Sequence, residues 1–152
     1  MKKKFLMVLL TVMAAFAVFT INASAATASG NCGPSDSPTS VTWTMDTVTG
    51  TLTISGSGQM SNYLEATQPW AAYLNSIQSV IVGNGVTSVG NYAFHNCTAL
   101  TSITLPDSII RIGNQAFGMC SSLLSLSLPK DLILLKLRGF VHNRGLKMVQ
   151  TV

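Results

Sequence analysis

Few residues in this 152-residue chain have the type and spacing for chemistry. The histidines are His95 and His142. His95 follows Phe94 in a stretch that reads as a solvated loop, and His142 lies in a basic tail, so neither is expected to act as a general base. The cysteines are Cys32, Cys97 and Cys120, an odd count that excludes a fully paired intramolecular framework. Nothing nearby, neither a Cys-x-x-Cys pair nor a basic neighbour, lowers a thiol pKa and makes a nucleophile. Ligand spacing for zinc is missing. The pairs Gly56/Gly58 and Gly83/Gly85 lack the third glycine of a dinucleotide loop and read as turns. No Gly-x-Ser-x-Gly elbow occurs. Asn96-Cys97-Thr98 fits a glycosylation acceptor, but the same letters belong to a repeated pattern. The expectation is a non-catalytic chain without metal or cofactor.

The repeated pattern is the strongest signal. "VGNYAFHNCTALTSITLP" (89–106) returns as "IGNQAFGMCSSLLSLSLP" (112–129), a shift of 23 residues. Gly90/Gly113, Asn91/Asn114, Ala93/Ala116, Phe94/Phe117, Cys97/Cys120, Leu100/Leu123, Leu105/Leu128 and Pro106/Pro129 coincide. Matching Cys97 with Cys120 favours two stacked interior thiols over a disulfide or a reactive site. A half-repeat precedes, from Ile77, and a damaged one follows, with Phe140 under Phe117, Leu146 under Leu123 and Val149 under Leu126. A period of 20–29 residues with Leu-x-x-aliphatic-x-Leu is the mark of a leucine-rich-repeat solenoid. Each coil would send Leu100, Ile103 and Leu105 inward from a short strand and Ser102 and Thr104 outward. Pro106 ends the strand. Gly90 or Gly113 permits the corner, and the following Asn-x-Ala-Phe is expected to form a short helical turn. One coil cannot bury its own apolar face, so repetition is a stability device.

Upstream, "VTWTMDTVTGTLTISGSG" (41–58) alternates with Val41, Trp43, Met45, Leu52 and Ile54 on one side, which predicts a β-hairpin. Pro69 opens a short helix with Trp70, Tyr73, Leu74 and Ile77 on its apolar side. Residues 41–76 are therefore expected to cap the repeats of 77–131, with 132–152 a degenerate third repeat or truncated tail. Its Phe140 should be partly covered, and the segment after Arg144 poorly ordered. Residues 26–40, rich in Gly, Pro and Ser, read as a loop or loosely tied terminus.

The N-terminus reads as a secretory signal over 1–25: Lys2–Lys4, an uncharged run from Phe5 to Ile21, then Ala23-Ser24-Ala25. The alternative, an uncleaved anchor, needs a span of about 20 apolar residues. Without the signal, six basic side chains face five acidic ones, a balance of +1 rather than the +4 of the whole chain. Residues 26–129 carry −3 and residues 130–152 carry +4. A basic tail of this kind is no nucleic-acid footprint. The expectation is an exported protein with no nucleic-acid partner and no membrane segment after signal removal.

The cap residues "CGP…VTWTMDTVTGTLTISGSGQM" and "PWAAY", with "VTSVGNYAFHNCTALTSITLPDS" and "IRIGNQAFGMCSSLLSLSLPKD", resemble the BspA-type leucine-rich-repeat proteins over about residues 30–131. The resemblance implies an α/β leucine-rich-repeat solenoid on a bacterial or parasite surface. It also implies adhesion and binding to host or extracellular-matrix proteins or other cell-surface proteins, and no catalytic residues. This chain departs from the family in having two complete repeats rather than many. On this reading the strand ladder offers Ser79, Ile81, Ser102, Thr104, Ser125 and Ser127 as a candidate binding surface. The alternative is a structural remnant of a longer repeat protein.

Overall fold

The computed structural model describes residues 27–135 and 146–150. The expected signal peptide, Phe140 and His142 lie outside the described residues. The chain forms strands β1 (Thr27–Asn31), β2 (Val41–Asp46), β3 (Thr51–Gly56) and β4 (Gly58–Gln59), then a 3-10 turn at Ala71–Tyr73. There follow β5 (Ser79–Val82), β6 (Val86–Val89), β7 (Ser102–Thr104), β8 (Arg111–Ile112), β9 (Ser125–Leu128), β10 (Leu134–Leu135) and β11 (Lys147–Gln150).

The hairpin forms where alternation placed it. β2 and β3 pair antiparallel, with Trp43 opposite Ile54 and Met45 opposite Leu52. Val41, Trp43, Met45, Leu52 and Ile54 are all buried. Asp46 closes the turn, its carboxylate accepting from the Val48 and Thr49 N–H groups at 2.8 and 3.2 Å. Those two bonds hold its carboxyl below the usual carboxylate range.

Beyond the hairpin the pairing turns parallel. One sheet has the order β1-β2-β3-β5-β7, a second β4-β6-β8-β10, and β9 pairs with β11. Ser79 faces Ser102, Ser88 faces Arg111, and Arg111 faces Leu134, each pair 23 residues apart. The repeat of the sequence is thus the step from strand to neighbouring strand. The core holds an aromatic column: Trp70 stacks on Phe94 (centroids 5.7 Å apart), and Phe94 stacks on Phe117 (5.5 Å). Trp70 Nε1 donates to the Ala93 carbonyl at 2.9 Å, so its one polar atom is satisfied in the interior.

The structure corrects the sequence reading in five places. Residues 27–31 are a strand, not a loop, paired antiparallel to β2. Gly30 lies opposite Trp43, and a Cβ there would come within 2.8 Å of the indole Nε1, so the small residues that suggested a loop leave room for a tryptophan. Second, the α component of the expected α/β class is reduced, among the described residues, to Ala71–Tyr73. The Asn-x-Ala-Phe segments form turns instead of helical pieces. Tyr92, Asn96, Gln115 and Met119 adopt φ of 54°, 63°, 48° and 59°. These breaks free backbone donors to reach the next repeat: Tyr92 N–H donates to Asn114 O, Phe94 N–H to Ala116 O, and Asn96 N–H to Gly118 O. A helix would have kept those donors to itself.

Third, His95 is no solvated loop residue; it is 3% exposed. Its ring lies edge-on to Tyr92 and over Gly118, where a Cβ would sit 2.8 Å from His95 Cδ2. Fourth, the tail pairs one residue out of the expected register. Lys147 faces Ser125 and Met148 faces Leu126, a shift of 22, so Val149 lies opposite Ser127 and is 60% exposed. Fifth, the expected disorder after Arg144 gives way to β11, whose pairing satisfies the β9 edge. Leu146 does pack against the core.

Candidate functional site

Strand alternation decides which side chains can meet a ligand. In β5, Val80 and Val82 are buried while Ser79 is half-buried and Ile81 is 42% exposed. In β7, Ser102 and Thr104 are exposed with Ile103 half-buried between them. In β9, Ser125 and Ser127 are exposed while Leu126 and Leu128 are buried. All six expected surface residues therefore have at least part of their side chain in solvent. Pairing aligns them in rows, Ser79 opposite Ser102 and Ile81 opposite Thr104. β9 lies against β7, 23 residues on.

The rows run further than the repeats suggested. Thr27, Asp46, Thr51, Ser79 and Ser102 stand opposite one another across five strands. A second row holds Ser29, Thr44, Thr53, Ile81 and Thr104. The hairpin residues of these rows fall outside the expected surface, because the sequence points to the hairpin as a cap alone. The signal was present: Thr42, Thr44 and Asp46 alternate with the buried Val41, Trp43 and Met45. With strands about 4.8 Å apart, each row is a ladder of short side chains roughly 20 Å long, all polar but Ile81. The two rows carry one charge, that of Asp46. Such a surface donates and accepts hydrogen bonds and makes small apolar contacts.

Among the described residues the thiols and the imidazole sit elsewhere. Cys32, Cys97 and Cys120 are buried and unpaired. Burial pushes the thiols of Cys32 and Cys120 up to about 12, and it pushes Cys97 up as well, with Cys120 beside it adding to the effect. The Cys120 Sγ donates to the Phe94 carbonyl at 3.1 Å. These thiols behave as small core residues, in the interior register that the repeat implies. His95 Nδ1 lies 3.9 Å from the exposed Glu65 carboxylate and makes no hydrogen bond among the described residues. Among the described residues no group of three His, Cys, Asp or Glu side chains is placed to hold a metal ion. None of their helices is long and apolar enough to cross a membrane.

Comparison with known proteins bears on the fold and family. A leucine-rich repeat protein from Eubacterium ventriosum superposes with a TM-score of 0.58 at 19% identity, over 83% of this chain and 44% of that one. The chain thus spans less than half of that relative's length. A leucine-rich repeat protein of T. pallidum is similar with a TM-score of 0.41 at 18% identity, over 68% of this chain and 65% of that one. Comparison with curated proteins returns no match. The model of the BspA type leucine rich repeat region matches six copies over residues 70–151. The parallel ladders, the 23-residue register and this match over more than half of the sequence lead to one conclusion: the chain belongs to the BspA type leucine-rich-repeat family.

Proposed function

We propose that this protein is an exported, non-catalytic binding module, a short solenoid of 23-residue coils capped by the β1–β3 segment. Its outward strand face binds other proteins, of the host, the extracellular matrix or another cell surface. The observation that carries the reading is the outward strand face itself. Ser79, Ile81, Ser102, Thr104, Ser125 and Ser127 stand outward from neighbouring strands, and the hairpin extends the rows by Thr44, Asp46, Thr51 and Thr53. A rigid, nearly uncharged ladder of hydroxyls suits the hydrogen-bonding surface of a folded partner better than a polyanion. The buried thiols support the non-catalytic part, since burial favours their neutral form.

Export rests on the N-terminal order of Lys2–Lys4, the apolar run to Ile21 and Ala23-Ser24-Ala25. The test of binding is a titration of the isotopically labelled mature chain with extracellular-matrix proteins, followed by amide resonances. Saturable changes centred on β5, β7 and β9 are expected. Saturable binding that moves only resonances of other strands would place the interaction elsewhere.

A further inference from the structure

On the other ladder, between β4, β6 and β8, lies a cleft of about 60 Å³ lined by Gln59, Met60, Asn62, Ser88, Val89, Asn91, Arg111, Ile112 and Gly113. Its apolar lining, Met60, Val89 and Ile112, is buried. The polar lining has an unusual bias, which comes from the asparagines. Asn91 N–H donates to Asn62 Oδ1 at 2.9 Å, and Asn114 N–H donates to Asn91 Oδ1 at 2.8 Å. A backbone N–H can bond only an acceptor, so both amides are oriented with oxygen toward the ladder. What Asn62 and Asn91 still offer is their NH₂ groups. Neither NH₂ has a partner among the described residues, and neither does the hydroxyl of Ser88, a residue only 7% exposed. Arg111 adds a guanidinium that forms no ion pair among the described residues. No acidic side chain lines the cleft.

We propose that this cleft is a binding site for a single carboxylate. Two carboxylate oxygens match the fork of the Arg111 guanidinium, and their remaining lone pairs accept from the Asn62 and Asn91 amides and the Ser88 hydroxyl. A cleft of about 60 Å³ has room for a group of a few atoms such as a carboxylate. The buried apolar lining strengthens the charge interaction by limiting solvent. The carboxylate comes either from a free small acid or from an acidic side chain of a polypeptide. This site lies apart from the strand face proposed above and goes beyond that reading, so either can fail alone.

The experiment is a titration of the full mature chain with sodium acetate, and separately with a blocked peptide carrying one Glu, against sodium chloride at equal ionic strength. The side-chain NH₂ resonances of Asn62 and Asn91 and the Arg111 Nε–H report binding. The carboxylates should shift them saturably and chloride should not. A tighter curve for the peptide assigns the source to a polypeptide, and an equal one to a free acid. Arg111→Gln should weaken the response at least tenfold. Asn62→Asp keeps an acceptor for the Asn91 N–H but brings its own carboxylate to the cleft, and should abolish the response with the Asn91 backbone signal retained. No saturable shift beyond chloride, or an unchanged curve in both variants, would overturn the proposal.

Discussion

Phe117 stacks on Phe94 with ring centroids 5.5 Å apart and planes 15° from parallel, and the two residues are one repeat apart. Both side chains are fully buried. Truncating Phe117 opens a cavity between repeats that neither neighbour can fill. Phe117→Ala is expected to destabilise by about 3–5 kcal/mol, read from urea unfolding. An unchanged midpoint would remove Phe117 from the core.

The thiols carry a pH signature. Cys32 and Cys120 are raised from 9.0 to about 12 by burial. The folded chain therefore holds these protons where the unfolded chain releases them. Their contribution to stability is whole below pH 9.0 and falls as pH rises toward about 12. The urea midpoint should drop as pH rises above 9.0 toward about 12, and less steeply in Cys32→Ala/Cys120→Ala. An identical slope in that variant would show that the thiols do not govern it.

Much of this arrangement is legible in the sequence. The pairs Phe94/Phe117 and Cys97/Cys120 declare a 23-residue step, and the alternation around Trp43 and Leu52 declares a hairpin. What stayed hidden depends on a neighbour in space. β1 is invisible because Gly30 is small for the sake of Trp43, across the sheet. The turns at Tyr92 and Gln115 need positive φ from residues that rarely adopt it, so local propensity pointed to a helix. In the tail, the change of step from 23 to 22 puts Met148 rather than Val149 opposite Leu126, and no letter marks that slip. The six face residues followed from alternation alone, whereas the polarity of the Asn62–Asn91–Asn114 ladder needed the hydrogen bonds.

His95 shows how the repeat itself held a missed clue. The 23-residue shift sets His95 over Gly118, the position whose missing side chain makes the slot for its ring. Gly118→Ala should destabilise by about 1–3 kcal/mol through overpacking. Adding His95→Ala should recover part of that loss, and the double-mutant cycle measures the coupling. Strictly additive effects would mean that the two positions do not share a slot.

Export makes its own prediction. Mass spectrometry of secreted protein should find a mature chain beginning near Ala26, after Ala23-Ser24-Ala25. A membrane fraction retaining Met1 would contradict it.

The central claim is that the outward strand face is the binding surface, and paired substitutions test it most directly. Ile81 and Thr104 face each other on adjacent strands, so Ile81→Lys/Thr104→Lys puts two like charges in the middle of the face without touching the buried Val80 or the half-buried Ile103. Thr87→Lys on β6, in the other ladder, is the control. Affinity for a matrix protein bound by the unmodified chain should fall at least tenfold in the double variant and stay unchanged in the control, with both thermal transitions intact. Full affinity in the double variant, or loss in the control alone, would contradict the account.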